Sequence, residues 1–273
     1  MSQSIWTQCA ASSERVPPQR DAGQGIADPR IRRLDVTAHR VVESQYENST
    51  RKLVDSDDEQ SLLESLLDRA KPPVPSEPAF KNLHYLLFTP FRYPPLRHGS
   101  RFGRRSERGV WYGSRERRTC FAETAYYRLL FLEHSSAALA PLHVELTCFR
   151  TRVRTQRGVD LTADPFRKFE AKLTSRSSYA DTHALGAEMR AAGVAAFLFR
   201  SARDDREGTN VALFEPCFMS RDVPAAQMQA WRCVVDRDKV EFVRRLTGAA
   251  PREAFSFPRA TFLVGGALPL VDG

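Results

Sequence analysis

Four side chains that can bind or attack a charged substrate stand at the ends of predicted strands and helices. They are an arginine, a tyrosine, a glutamate and a serine: Arg101, Tyr112, Glu123 and Ser201. An arginine can bind a phosphate through two parallel hydrogen bonds, and a tyrosine ring can stack on a flat ligand. A partly buried carboxylate can stabilise positive charge in a transition state. The set therefore suits an anionic nucleotide whose sugar is attacked.

Each of these residues also has an ordinary structural interpretation. Arg101 lies in a Gly-Ser-Arg-Phe-Gly segment and could be a solvated loop residue, and Tyr112 could be a core aromatic at a strand end. Glu123 stands among apolar neighbours and could pair with a nearby arginine, whereas Ser201 could cap a turn. None of these four residues, taken alone, shows whether its role is functional or structural.

The chain is strongly basic, and its basic residues are almost all arginine. It has 273 residues and a net charge of +8, and only six of its 41 basic residues are lysine. We attribute most of this skew to a GC-rich genome, although arginine does suit phosphate binding. No helix-turn-helix or zinc pattern is present, so a basic nucleic-acid-binding module is a remote alternative. The densest arginine cluster lies beside the candidate residues: Arg101, Arg104, Arg105, Arg108, Arg115, Arg117 and Arg118.

The cysteines and the apolar segments point to the cytoplasm. Five cysteines are dispersed without a C-x-x-C pair or metal-ligand spacing, which predicts reduced thiols and no metal site. No apolar stretch approaches the ~20 residues of a membrane-spanning helix. The first residues lack the basic start and apolar core of a signal peptide. We therefore expect a cytoplasmic protein with no membrane partner.

Three segments are predicted along the chain. Residues 1–28 are polar and aperiodic, which predicts a flexible tail. Residues 29–75 are predicted to be a helical extension, packed on the main domain or on a partner, with one helix from Ile31 to Leu53. A second helix begins at the capping box of Ser56 and Glu59 and ends at the prolines of residues 72–75. It carries a leucine stripe: Leu62, Leu63, Leu66 and Leu67. Residues 76–273 form the predicted catalytic domain.

The catalytic domain is predicted to be α+β with short strands rather than a doubly wound sheet. No G-x-G-x-x-G or Walker-type loop is present. A helix from Thr119 to His134 carries Glu123, with Phe121, Ala125, Leu129 and Leu132 facing inward. A second helix, residues 179–192, ends at Gly193. Strands are predicted over these residues: 83–88, 109–112, 143–154, 194–200, 210–214, 231–235 and 239–244, with an unassigned apolar segment at 255–264.

Taken together, the motifs resemble the RES-domain family, named for its Arg, Glu and Ser. The resemblance starts at G-S-R-F, continues with the strand that ends in Tyr112 and with the Ala-Glu of Glu123, and resumes at R-A-A-G-V, S-A-R and N-V-A-L-F-E-P. It covers roughly residues 80–220. The stretch between Arg101 and Tyr112 is unusually arginine-rich and about one residue longer than the family's commonest form. Arg104 or Arg105 is therefore a possible substitute for Arg101.

The resemblance implies a role for each matching residue. It assigns Glu123 to the nicotinamide ribose of NAD and Arg101 to catalysis through the phosphates. It also implies a set of substrate-binding residues, with the tyrosine against nicotinamide and the others on phosphates: Tyr112, Ser201, Arg203 and Arg105. No metal is implied, and NAD is a substrate rather than a cofactor.

The resemblance also implies a fold similar to ADP-ribosyltransferases and a toxin that cleaves the nicotinamide–ribose bond of NAD. One carboxylate suffices for this cleavage, because nicotinamide leaves a cationic pyridinium as a neutral ring and needs no general acid. The acceptor stays open between water, inorganic phosphate as a co-substrate, and a macromolecule, the last making the protein a mono-ADP-ribosyltransferase. The implied partner is an antitoxin with an Xre-type helix-turn-helix domain, in a homodimer or toxin–antitoxin hetero-oligomer. The toxin itself is not expected to bind nucleic acid.

Overall fold

The computed structural model describes residues 4–13, 28–44, 55–95, 98–135, 141–245 and 253–270. Within them lie six α-helices and eight β-strands, besides several short 3-10 helices. In chain order the elements are α1 (Ile5–Ser13), β1 (Arg32–Glu43), α2 (Asp57–Ala70), α3 (Tyr85–Arg92), β2 (Trp111–Ser114), α4 (Arg117–His134), β3 (Leu142–Asp160), α5 (Glu170–Leu173), α6 (Ala180–Ala191), β4 (Ala196–Arg200), β5 (Thr209–Leu213), β6 (Met228–Val235), β7 (Lys239–Arg244) and β8 (Ala254–Pro258).

The strands form one mixed sheet in the order β1-β2-β5-β4-β3-β6-β7-β8. All neighbouring strands are antiparallel except β3 and β4, which are parallel. Because β1 also pairs with β3, the pairings of β1, β2, β5, β4 and β3 form a closed ring. Strands β6, β7 and β8 extend the sheet from β3. The predicted α+β class is confirmed.

Strand β3 joins the ring to this extension because it is long enough to pair with three strands. One of its edges pairs with β1 from Leu146 to Gly158. On its other edge, the first eight residues pair with β6, and the last three pair with β4. Gly158 is required at its position, because a Cβ there would lie 2.3 Å from the side chain of Leu34 on β1.

Helix α4 separates a buried apolar face from a face that carries polar groups. Phe121, Ala125 and Leu129 are buried in the core formed with β6, β7 and β8. Their spacing of four residues places them on one side of the helix. Glu123 is only half-buried and Tyr127 is exposed. The predicted inward face is confirmed for these three residues, and Leu132 is partly buried.

Residues 32–43 are the strand β1, so the predicted helix from Ile31 to Leu53 is wrong there. Leu34 and Ala38 are buried, and β1 pairs with β3 along its whole length. Several of its residues are valine or threonine, which lose side-chain freedom in a helix and pack well in a sheet. Pairing with a strand more than 100 residues away therefore decided the conformation. The rest of the predicted helix, residues 45–53, lies outside the described residues.

Residues 5–13 form the helix α1, which contradicts the predicted flexible tail for this stretch. Ile5, Trp6 and Cys9 are buried in the core that also contains α6. The Trp6 ring stacks on Phe166 at a centroid distance of 5.9 Å. Burial of these side chains offsets the conformational entropy that a polar terminal segment would otherwise keep. Residues 1–3 and 14–27 of the predicted tail lie outside the described residues.

The predicted strand at residues 83–88 is also wrong, because α3 (Tyr85–Arg92) occupies this segment. The run is short and apolar, and such runs fit a buried strand and a buried helix equally well. His84 favours the helix because it is the N-cap residue: its Nδ1 accepts a hydrogen bond from the backbone N–H of Leu86. Leu86, Leu87 and Phe91 are buried.

Helix α2 forms where the capping box predicted it. The hydroxyl of Ser56 accepts a hydrogen bond from the backbone N–H of Glu59. The described residues leave most of the leucine stripe of α2 exposed: Leu62, Leu66 and Leu67 are 61%, 51% and 43% exposed. This helix was predicted to pack on the main domain or on a partner; the described main domain does not cover these three leucines, and packing on a partner stays a prediction.

The other predicted elements are confirmed to within three residues at each end, except that β3 continues six residues beyond its predicted end at Arg154. Helix α4 begins at Arg117 rather than Thr119, and Gly193 follows α6 with a φ of +74°. The unassigned segment at 255–264 contains β8 and a 3-10 helix. The remaining matches are β2, β3, β4, β5, β6, β7 and α6.

The acid titration of His39 tests the placement of β1. Burial and the charges of Arg117 and Arg150 lower the pKa of His39 from 6.5 to about 4. Between these values the unfolded chain binds a proton that the folded chain does not, so the free energy of unfolding falls as the pH drops through this range. We expect denaturant titrations to show a smaller loss for His39→Gln than for the wild type. An equal loss in both proteins would contradict the lowered pKa.

Candidate functional site

Glu123 is held by two neutral hydrogen-bond donors at the polar face of α4. Its Oε1 accepts hydrogen bonds from the Ser201 hydroxyl at 2.6 Å and from Nδ2 of Asn210 at 2.7 Å. Among the described residues, none donates a hydrogen bond to Oε2. The alternative that Glu123 pairs with an arginine is not what the structure shows. The carboxylate keeps one oxygen free for a ligand.

Ser201 both caps a turn and contacts Glu123. Its hydroxyl oxygen accepts hydrogen bonds from the backbone N–H groups of Arg203 at 3.1 Å and Asp204 at 3.0 Å. The hydroxyl proton is donated to Glu123. The turn-cap interpretation is therefore correct, and the structure adds a link to the carboxylate. The predicted contact of Ser201 with a phosphate stays a prediction.

The loop after Ser201 is fastened to the start of α4. The hydroxyl of Thr119 donates a hydrogen bond of 2.7 Å to Asp204, and Arg118 forms ion pairs with Asp204 and Asp205. Gly208 is required beside them, since a Cβ there would lie 1.9 Å from Oγ1 of Thr119. These contacts fix Ser201 relative to the helix that carries Glu123.

Arg101 is buried, so it is not a solvated loop residue. Its side chain is 8% exposed, and Nη1 donates to the backbone carbonyls of Leu173 at 3.1 Å and Ser175 at 2.8 Å. The guanidinium carbon lies 4.8 Å from the centroid of the Tyr179 ring. The two possible substitutes, Arg104 and Arg105, are both exposed. Of the three alternatives Arg101, Arg104 and Arg105, only Arg101 is therefore buried and held by the fold.

Tyr112 uses its hydroxyl to hold the turn that carries Arg101. The hydroxyl lies 3.1 Å from Oγ of Ser100 and accepts a hydrogen bond of 3.0 Å from the backbone N–H of Phe102. Burial raises its pKa to about 12, so it stays protonated. The ring packs edge-on against Phe199. Stacking of this ring on nicotinamide stays a prediction.

The turn itself depends on a glycine with an unusual backbone conformation. Gly99 has a φ of +76°, and a Cβ there would lie 2.7 Å from the carbonyl oxygen of Gly103. The backbones of Ser100 and Gly103 pair across the turn, and a ring nitrogen of His183 lies 2.8 Å from the Ser100 carbonyl oxygen. The small residues noted in the sequence thus allow a tight loop around Arg101.

Arg203 is the most deeply buried charged residue of the site, at 1% exposure. Its guanidinium lies 3.5 Å from the centroid of the Tyr126 ring, and Nη2 donates to the backbone carbonyl of Arg176 at 3.2 Å. Nη1 is buried and has no acceptor among the described residues. An unpaired buried cationic donor is costly, so this atom is suited to an anionic ligand.

The charges of three candidate residues act on Tyr126, which lies on the same helix as Glu123. Burial raises the pKa of Tyr126, the charges of Arg203 and Arg101 lower it, and the charge of Glu123 raises it. The Tyr126 hydroxyl donates a hydrogen bond to the carbonyl of Pro269. Ser201 thus contacts Glu123 directly and Arg203 packs on Tyr126 of the same helix, while the charge of Arg101 also acts on Tyr126; Arg105 lies on an exposed turn.

The sequence analysis missed two residues of this site. Asn210 starts the motif N-V-A-L-F-E-P and contacts Glu123 directly, and Tyr179 lies under Arg101. The position of Asn210 within a recognised motif is a signal that could have identified it. Tyr179 precedes a helix and carries no local signal of its role.

A comparison with models of protein families finds one family for this chain. The family model described as "RES domain" matches residues 77–236, which is more than half of the chain. The chain belongs to the RES-domain family. RES domains are found in the toxins of toxin–antitoxin pairs. No curated protein matches the chain.

The segment matched to the RES domain contains all the candidate residues but not the whole sheet. Arg101, Glu123 and Ser201 fall within residues 77–236, as does Asn210. Strands β1, β7 and β8 lie outside the matched segment. In the described part of the chain, no helix has the length and apolar character needed to cross a bilayer, and no cluster of three His, Cys, Asp or Glu residues could hold a metal ion.

Proposed function

We propose that this RES domain is the toxin of a toxin–antitoxin pair and depletes NAD by cleaving the bond between nicotinamide and ribose. The observation that supports the proposal is the carboxylate of Glu123. One of its oxygens is held by neutral donors and the other is free among the described residues, beside two buried arginines, Arg101 and Arg203. This arrangement combines a negative charge for a sugar cation with positive charges for a diphosphate.

The two arginines supply the affinity for NAD in this proposal. The diphosphate of NAD carries two negative charges, and the buried Nη1 of Arg203 needs an acceptor. Arg101 is anchored through Nη1, which leaves its other nitrogens to a second phosphate oxygen. In this proposal the ring of Tyr112 contacts nicotinamide.

The reaction breaks the bond between C1 of the ribose and the ring nitrogen of nicotinamide. The bonding electron pair moves to the nitrogen, which neutralises the pyridinium, so nicotinamide leaves without a proton. The ribose becomes an oxocarbenium-like cation. The free oxygen of Glu123 binds the ribose hydroxyls, and the carboxylate charge stabilises this cation.

The acceptor then forms a bond to C1 of the ribose. A water oxygen gives ADP-ribose and releases one proton, whereas an oxygen of inorganic phosphate gives ADP-ribose phosphorylated at that carbon. Transfer to a macromolecule would make the chain a mono-ADP-ribosyltransferase. In each case NAD is consumed and nicotinamide is released.

An enzyme that depletes NAD requires inhibition in the cell that makes it. We propose an antitoxin with an Xre-type helix-turn-helix domain as the partner, in a toxin–antitoxin hetero-oligomer or bound to a toxin homodimer in the cytoplasm. An acidic or carboxylate-ended segment of that partner would complement the buried arginines.

Incubation of the purified chain with NAD tests the proposal. We expect mass spectrometry to show loss of NAD and one nicotinamide per NAD consumed. Loss that requires added phosphate identifies a phosphorylase, and loss without it identifies a hydrolase. Label from NAD that appears on protein or nucleic acid would favour the transferase. A folded chain that releases no nicotinamide with any of these acceptors would contradict the proposal.

A further inference from the structure

We propose that Asn210 is a positioning residue for this reaction, which holds the Glu123 carboxylate so that its second oxygen faces the substrate, and that Ser114 orients Asn210. The inference rests on the proposed cleavage of NAD. It concerns two buried polar residues that the roles described above do not use.

Both donors to Glu123 bind the same oxygen. Nδ2 of Asn210 and the Ser201 hydroxyl lie 2.7 Å and 2.6 Å from Oε1. A carboxylate bound in this way cannot rotate about its last bond without losing both hydrogen bonds. Hydrogen bonds to a charged acceptor are stronger than those between neutral groups. The two hydrogen bonds to Oε1 therefore also fix the position of Oε2.

The Glu123 carboxylate only accepts hydrogen bonds, so the Asn210 amide turns its Nδ2 toward it, and Ser114 binds the other end of the amide. An amide group can turn by half a rotation and exchange its donor for its acceptor. The hydroxyl of Ser114 donates a hydrogen bond of 2.6 Å to Oδ1 of Asn210, which leaves Nδ2 for Glu123. With the opposite orientation, the amide oxygen would face the carboxylate and repel it.

The fold supplies this pair in a fixed register. Ser114 on β2 and Asn210 on β5 are directly opposite partners in the sheet. They are only 2% and 3% exposed, so bulk water does not compete for their hydrogen bonds. The chain from Ser114 to Asn210 to Glu123 therefore links the sheet to the helix that carries the carboxylate.

Neutral donors suit this task better than a cation would. An arginine on Oε1 would neutralise the charge that has to stabilise the oxocarbenium-like ribose. An amide and a hydroxyl orient the carboxylate and leave its charge in place. Donors that are oriented before the substrate binds also need no reorganisation during the reaction.

Steady-state kinetics of Asn210 and Ser114 variants test the inference. We expect Asn210→Ala to lower kcat for NAD about tenfold, with KM within about twofold of the wild type, because the carboxylate loses its orientation and the phosphate contacts stay. Asn210→Asp should lower kcat further, since a second carboxylate would repel Glu123. Ser114→Ala should lower kcat by a smaller factor. The double variant with Ser114→Ala and Asn210→Ala should have the same kcat as Asn210→Ala alone.

A matched control comes from another buried hydroxyl on the sheet. Thr147 on β3 is 5% exposed and lies 3.0 Å from the hydroxyl of Ser44. Thr147→Val removes a buried hydrogen bond in the same way as Ser114→Ala, and we expect it to leave kcat unchanged. Thermal unfolding of every variant shows whether it is folded. If Asn210→Ala does not fold, the kcat of Ser114→Ala compared with that of Thr147→Val tests the inference.

The outcomes separate this inference from the proposed function. A folded wild-type chain that cleaves no NAD overturns both. An active wild type whose folded Asn210 and Ser114 variants keep their kcat overturns the positioning role alone. Full additivity of Ser114→Ala and Asn210→Ala overturns the role of Ser114. A loss of kcat in Thr147→Val equal to that in Ser114→Ala shows a general packing effect and also overturns it.

Discussion

Glu123→Gln should lower kcat for NAD cleavage by roughly a thousandfold, with little change in KM. Glutamine has the shape of glutamate, and its amide oxygen can still accept the hydrogen bonds that Ser201 and Asn210 donate to Oε1. The variant therefore keeps the geometry and loses the negative charge. Because this charge acts on the oxocarbenium-like ribose and not on bound NAD, the effect falls on kcat. Initial rates of nicotinamide release measure it.

Glu133→Gln is the matched control for this variant. Glu133 lies on the same helix, forms an ion pair with Arg259 and is partly exposed. It should leave kcat unchanged, and both proteins should unfold at temperatures close to that of the wild type. A folded Glu123→Gln protein with nearly wild-type kcat would remove Glu123 from the mechanism.

Arg203→Lys should raise KM for NAD by about a hundredfold, with a smaller effect on kcat. The Arg203 guanidinium reaches the carbonyl of Arg176 with Nη2, while its buried Nη1 has no acceptor among the described residues. Lysine keeps the charge but has a single nitrogen, which cannot bind this carbonyl and also reach a phosphate in the same geometry. Truncating one member of a buried charged pair typically costs about 2–5 kcal/mol, consistent with this change. Initial rates over a range of NAD concentrations measure the shift.

Arg206→Lys is the control for the second variant, because Arg206 lies on the same loop and is exposed. The Arg206→Lys variant should have the KM for NAD and the kcat of the wild type. The prediction for Arg203 fails if its folded lysine variant binds NAD as tightly as the wild type, and the phosphate contact would then belong to other residues.

The sequence identified those parts of the site whose neighbours are local. Arg101 is marked by the glycines of its turn, and Glu123 by the apolar residues of its own helix. Asn210 lies in a recognised motif, but its local sequence does not indicate its contacts, because its partners Ser114 and Glu123 are 96 and 87 residues away. Contacts over such separations are set by the sheet register, which a single sequence does not encode in any one segment.

The difference between local and long-range contacts also explains which helices and strands were predicted correctly. Helix α4 has a complete apolar face and was predicted almost to its ends. Strand β1 has only two buried apolar residues, Leu34 and Ala38, and its partner is β3. Helix α1 is fixed by the contact of Trp6 with Phe166. Long-range pairing and packing overrode the local pattern in both cases.

The closed ring of strands has a consequence for what can be cut from this protein. Its closing strand, β1, precedes the matched segment at residues 77–236, so a fragment trimmed to that segment would carry β3 with an unpaired edge. Such an edge invites pairing between molecules and precipitation. We therefore expect a fragment that folds on its own to need β1 in addition to the matched segment. Helix α2 then lies in the chain between two parts of one closed ring, because β1 precedes α2 and the other four strands of the ring follow it.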